Sequence, residues 1–247
     1  MDFVVKYDTM HFAEEKYVDL QLNKKTIPYK FMFIDIHTHH QSIKEENRLS
    51  IYNLNVPDYL CRCGLDLKNT FYSLGIHPWT IKEDLLSKNL RYIEENASFD
   101  KIKAIGECGL DKLCETDWKI QERAFIAHIK ISESIQKPLI IHCVKAFDEI
   151  ISFREEIKPC QPWIIHGFRG KPEQGLQLIG NGFYLSFGSK YNQETVQIIP
   201  LSRMFLETDD SESSIEAVYK AISDSFNIDM NIFQSEIEKN VASCFKM

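Results

Sequence analysis

Short apolar runs recur along the chain from residue 31 onward, separated by longer stretches in which apolar positions return every three or four residues. The runs predict strands over 32–36, 48–54, 70–76, 102–106, 138–142, 162–166, 182–187 and 203–208. The stretches between them predict helices over 82–97, 116–136, 145–156, 171–180, 191–199, 212–226 and 230–245. In the longest of these, Phe125 and Ile129 mark a buried stripe, while Gln121, Glu122, Lys130 and Glu133 fit the wetter side. Strand and helix in alternation imply a parallel sheet, because parallel neighbours need a crossover between them. Eight strands close a TIM-type (β/α)8 barrel, so the expected fold is α/β, a single barrel over 31–247, regular or distorted.

Residues 1–30 show no strong period and carry five acidic and five basic side chains. They read as a non-catalytic N-terminal extension, either packed against the barrel or preceding a true start at Met32. No repeat, Pro-rich linker or low-complexity tract follows residue 31, which fits one domain.

Candidate chemistry gathers where the apolar runs end. The first closes in Asp35-Ile36-His37-Thr38-His39, and alternate side chains of a strand leave one face, so His37 and His39 point into one space. Further runs lead to Glu107, His142, His166 and Asp209. Metal-ligating residue types at the carboxyl ends of strands one, four, five, six and eight sit where a parallel barrel collects its functional side chains. Gly106 before Glu107 suits a close backbone or ligand approach. Each residue has a plainer reading: Asp209 as a helix N-cap, Glu107 as a surface carboxylate, His142 and His166 as core histidines bonded to carbonyls. The repetition of one position five times favours metal coordination.

Composition limits the partners. A formal net charge of −7 argues against a broad basic surface for tight duplex binding, although bound divalent cations would still attract a phosphate locally. Seven cysteines without a Cys-x-x-Cys pair read as reduced thiols, Cys61 and Cys63 included. The absence of a long apolar span or a basic-then-apolar leader points to the cytoplasm, with no membrane attachment and no obligate protein partner.

The stretches Asp35-Ile-His-Thr-His39, Gly75-Ile-His-Pro-Trp79, Ile105-Gly-Glu-Cys-Gly-Leu-Asp111, Pro138-Leu-Ile-Ile-His142, His166-Gly-Phe-Arg-Gly170 and Leu206-Glu-Thr-Asp209, in that order, resemble the TatD family of metal-dependent deoxyribonucleases and related hydrolases. The resemblance implies a binuclear divalent site, mainly Mg²⁺ with Mn²⁺ or Zn²⁺ also suited. His37, His39 and Asp209 would hold one ion, His142 and His166 the other, and Glu107 would bridge them. The chain departs from the family's usual pattern at Trp79, at Gly167-Phe-Arg-Gly170 and at Asp210-Ser211.

On this reading the reaction is hydrolysis of phosphodiester bonds, with DNA ends or single-stranded DNA as transient substrate and two metals activating water. Asp209 is the candidate to orient that water and take its proton, with Glu107 and His77 completing the catalytic set. His77, Arg169, Lys145 and Trp79 are the candidates for substrate contact, Arg169 through its bidentate fork and Trp79 through stacking on a base. The alternatives are an amidohydrolase-type deacylase or lactonase, or a non-catalytic metal-binding protein. A thiolate mechanism through Cys108 or Cys143, which adjoin proposed ligands, is the weakest reading. His40 reads as facing away from His37 and His39, and His11 and His128 have no chemical context.

Overall fold

The computed structural model describes residues 32–40, 47–56 and 70–247. The expected extension over residues 1–30, together with His11, Cys61 and Cys63, lies outside the described residues.

Eight parallel strands run in chain order around the sheet: β1 Phe33–Thr38, β2 Arg48–Asn55, β3 Thr70–Gly75, β4 Ile102–Asp111, β5 Leu139–Val144, β6 Trp163–Ile165, β7 Tyr184–Phe187 and β8 Met204–Leu206. Seven helices cover the outside from β3 onward: α1 Glu83–Asn96, α2 Trp118–Ile135, α3 Phe147–Ile157, α4 Pro172–Gly180, α5 Gln193–Ile198, α6 Ile215–Phe226 and α7 Met230–Phe245. The strands are near-continuous apolar runs because both of their faces are covered. Ile36, Ile51, Phe125, Trp163, Phe183, Phe187 and Phe205 are fully buried. The core lies within the sheet and in the layer beneath the helices, where the Phe125 and Trp163 rings meet edge to face at 5.6 Å.

Last and first strands join just beyond β8. The Asp209 N–H donates to the His37 carbonyl at 2.9 Å and the His39 N–H donates to the Asp209 carbonyl at 3.0 Å. One turn lower, the buried Asp35 carboxylate accepts from the Thr208 N–H at 3.0 Å, the Thr208 hydroxyl at 2.7 Å and Arg48 at 2.8 Å, tying β1 to β2 and β8. Burial raises the Asp35 carboxyl to about 6 against the pull of these donors.

Three sequence expectations change. First, β1 runs to Thr38, so His37 sits inside the strand and His39 just past its end. Second, β4 continues to Asp111, placing Glu107 in mid-strand; the β4–β5 register shifts between Ile105 and Cys108. Gly106, at φ +137°, makes this possible, since a Cβ there would run into the Ile140 carbonyl of β5. Third, Gln121 is buried, because its side chain accepts from the Asp111 N–H at 2.8 Å and donates to the Asp111 carbonyl at 3.0 Å. A polar residue on the buried stripe is what the open end of β4 requires.

His128 of α2 has a structural role. Its Nε2 accepts from the Ile76 N–H at 3.1 Å and its Nδ1–H donates to the Ala124 carbonyl at 2.7 Å, anchoring the end of β3. Burial lowers its pKa from 6.5 to about 4. The folded protein therefore resists a proton that the unfolded chain accepts, and stability is lost as pH falls from about 6.5 toward 4, by about 3 kcal/mol in total. Urea unfolding across this window should show a shallower pH dependence for His128→Gln than for the parent chain; equal slopes would remove this role.

Candidate metal centre

At the centre of the upper rim stands Glu107, whose side chain is 3% exposed. Five imidazoles from different parts of the barrel surround its carboxylate. Oε2 faces Nε2 of His37 at 3.3 Å and Nε2 of His39 at 3.5 Å. Oε1 faces Nε2 of His77 at 3.1 Å, Nδ1 of His142 at 2.9 Å and Nε2 of His166 at 2.8 Å. Asn53 of β2 holds the residue from behind: its side-chain oxygen accepts from the Glu107 N–H at 2.8 Å and its amide lies 3.4 Å from Oε2.

Strand geometry explains the convergence. His37 lies within β1 and His142 within β5, while His166 directly follows β6, and His77 and Asp209 lie in the short stretches just after β3 and β8. Asp209 adopts φ +57°, a left-handed conformation that aspartate tolerates better than most residues. Its backbone closes the barrel while its Oδ1 lies 3.7 Å from His37 Nε2 and 3.5 Å from His39 Nε2. The helix-cap alternative for Asp209 fails, because Ser214 caps α6 by accepting from the Ala217 N–H.

The electrostatics belong to a shared site. Burial opposes ionisation of Glu107, yet the surrounding imidazoles, His166 foremost, hold its carboxyl well below the usual range. His166 is driven well above its ordinary value: burial works against its charge, and Glu107 and Glu207 outweigh it. The hydrogen bond to Glu107 raises His39, whereas burial lowers His77. Burial pushes the Cys143 thiol up to about 12 and Cys108 well above its ordinary value, so neither is poised as a thiolate.

These residues fit divalent cations. Both ring nitrogens of the fully buried His37 lack a hydrogen-bond partner, although buried polar atoms are normally satisfied. Ligand atoms within 4.8 Å of one another form the groups His37, His39 and Asp209; His37, Glu107 and His166; His77, Glu107 and His142; and His166, Glu207 and Asp209. The first is the trio that the TatD resemblance implies. The expected pair His142 and His166 meets only through Glu107, their ring centres 5.7 Å apart, and His77 joins His142 instead.

A cleft of about 800 Å³ opens above, lined by His142, His166 and Asp209 together with Trp79, Lys145 and Arg169. Lys190 also lines it; the sequence did not single this residue out, since nothing along the chain links the loop after β7 to the other strand ends. Three further residues escaped sequence reading. Asp111 lies 3.1 Å from His142 Nε2, Glu207 accepts from the Gly167 N–H at 2.6 Å and lies 3.4 Å from His166 Nδ1, and Asn53 supports Glu107. Glu207 and Asp111 did lie within the quoted stretches, and carboxylates behind metal-ligating imidazoles are the signal that would have found them. His40 is exposed and takes no part in the cluster.

Comparison with known proteins agrees with this geometry. Residues 59–246 match the family model of TatD related DNase. An uncharacterized metal-dependent hydrolase of Buchnera aphidicola subsp. Baizongia pistaciae is 30% identical over 199 residues, covering 76% of this chain and 74% of that protein. The uncharacterized metal-dependent hydrolase YcfH of Escherichia coli K12 is 30% identical over 165 residues, 62% of this chain and 61% of its own length. Among solved structures, the TatD homologue YjjV of E. coli K12 superposes with a TM-score of 0.70 at 16% identity, over 81% of this chain and 86% of that one, and so shares the fold. With the family model covering most of the barrel and a cation-ready cluster at its rim, the chain belongs to the TatD-related family of metal-dependent hydrolases.

Proposed function

We propose that the protein hydrolyses phosphodiester bonds, with DNA ends or single-stranded DNA as substrate, using a pair of divalent cations, Mg²⁺ first, held by His37, His39, Glu107, His142, His166 and Asp209. The observation that carries this reading is a cluster of imidazoles and carboxylates lying directly beneath a cleft that also presents Lys145, Arg169 and Lys190. Asp148, Asp209 and Asp210 share that lining, so it is these three basic side chains together with the divalent pair that favour an anionic substrate there.

When bound, the divalent pair supplies Lewis acidity and lowers the pKa of water toward about 7. Asp209 lines the cleft, whereas Glu107 is buried below it, so Asp209 is the carboxylate placed to orient the attacking water and take its proton. Glu107 keeps the imidazoles in register from beneath. His77 faces the same oxygen of Glu107 as His142 does and is the group for phosphate or leaving-oxygen contact. Arg169 grips the non-bridging oxygens as a fork, Lys145 and Lys190 add point charges, and the 65% exposed Trp79 offers a face for a base. Lys145, like Asp209, holds φ +57°, the kind of strained backbone that concentrates at functional sites.

A chromogenic phosphodiester and labelled single-stranded DNA, each assayed with Mg²⁺, Mn²⁺ and Zn²⁺, test the reading. Hydrolysis should need the cation, and Asp209→Asn should lower kcat by about 10²–10⁴-fold, the usual worth of a positioned proton acceptor. Turnover of acyl or lactone substrates alone would point to a deacylase, and cation uptake without hydrolysis to a binding protein.

Chelation should also lower the melting temperature. A cation at about 100 times its dissociation constant stabilises the fold by about 2.7 kcal/mol per site. For a domain of this size each kcal/mol moves Tm by about 2–4 °C. Identical melting curves with chelator and with each metal would count against a resident cation.

A further inference from the structure

We infer that Asp111 is a positioning residue that fixes the proton on His142, and that His142 and His77, each carrying its proton on Nε2, meet through unlike nitrogens: His142 presents the lone pair of Nδ1 to a cation, and His77 presents its Nε2–H. This rests on the cation-binding part of the function proposed above, not on its substrate.

Asp111 ends β4 with its side chain 3% exposed, and Gln121 clamps its backbone on both sides. Its carboxylate meets only N–H groups: Trp79 Nε1–H donates to Oδ2 at 2.7 Å and the Leu113 N–H donates to Oδ1 at 2.7 Å. His142 Nε2 lies 3.1 Å from the same Oδ2. Ionised carboxylates only accept, and His142 has one at each nitrogen; with a cation on the Glu107 side, the proton of a neutral His142 belongs on Nε2, against Asp111. The lone pair is then on Nδ1, which faces Glu107 Oε1 at 2.9 Å, where only a proton or a cation relieves the repulsion between two acceptors.

His77 faces the site through its other ring nitrogen. Its Nδ1 accepts from the Trp79 N–H at 3.1 Å, so a neutral His77 carries its proton on Nε2. That nitrogen faces His142 Nδ1 at 3.2 Å and Glu107 Oε1 at 3.1 Å. Nearness alone would count His77 among the ligands; its fixed N–H makes it a donor to an anion instead. Trp79 serves both settings, its backbone N–H holding His77 and its indole N–H sharing Asp111 with His142, while its ring stands edge-on to both imidazoles. The exposed indole of the cleft wall and the cation site are thereby joined through one carboxylate.

Zinc uptake by the full-length chain, measured by equilibrium dialysis, tests this directly. The parent should bind two equivalents; His77→Gln should keep both, whereas His142→Gln should lose one. Asp111→Asn, which sets an amide donor against N–H donors, should weaken one equivalent by about 10–100-fold, the usual cost of losing the partner behind a metal-ligating histidine. Loss of an equivalent in His77→Gln, or parent affinity in Asp111→Asn, would overturn the inference. Should a variant fail to fold, imidazole nitrogen NMR of the zinc-loaded parent decides alone: both rings should carry their proton on Nε2, with only His142 Nδ1 shifted by the metal, and a metal-shifted His77 Nε2 would refute it. A parent that binds zinc in this pattern yet cleaves no phosphodiester upholds the inference while removing the substrate reading.

Discussion

Glu107 places a carboxylate in the middle of a strand, almost out of reach of water, and the rest of the rim is arranged around it. Desolvating an ion costs several kcal/mol even after the surroundings relax, so such a group persists only where charge or donors meet both of its oxygens. Five imidazoles and the Asn53 amide do so here. A barrel suits this demand because its strand ends tilt toward one axis, letting residues far apart in sequence address a single point. The same crowding leaves both nitrogens of His37 without a hydrogen-bond partner, as expected of a site assembled for cations.

Closing the barrel and building the site are one event. The backbone of Asp209 bonds to His37 on one side and His39 on the other, so the carboxylate nearest the cleft is fixed by the hydrogen bonds that join the last strand to the first. Asp35 repeats the connection lower down, binding Thr208 and Arg48 across three strands. Unfolding of the β1–β8 seam would dismantle the trio of His37, His39 and Asp209. Stability and cation binding are therefore linked through the same contacts.

Behind the ligand imidazoles stand carboxylates that do not themselves line the cleft. Asp111 supports His142 and Glu207 supports His166, the first anchored by the N–H of Leu113 two residues on and the second by that of Gly167 after β6. Such partners select which ring nitrogen is free, and they turn flexible histidines into oriented ones. Long, exposed Lys145, Arg169 and Lys190 lie outside this rigid layer, at the cleft wall. The division matches the chemistry: cation geometry tolerates little error, while an anionic substrate is attracted over several ångströms.

Periodicity along the chain was enough to locate the eight strands and seven helices of the described residues, because buried parallel strands are continuous apolar runs and surface helices show a repeating apolar stripe. It also exposed His37, His39, Glu107, His142, His166 and Asp209, since each lies in or just after such a run. Local pattern did not reveal that β4 runs on to Asp111, nor that Gln121 turns inward to hold it, because the partners that satisfy those polar groups come from α2 and β5. The same holds for the grouping of His77 with His142 and for the backing of His166 by Glu207. Hydrogen-bond partners and ring tautomers depend on distances between segments, and those distances exist only once the sheet has curved round and closed.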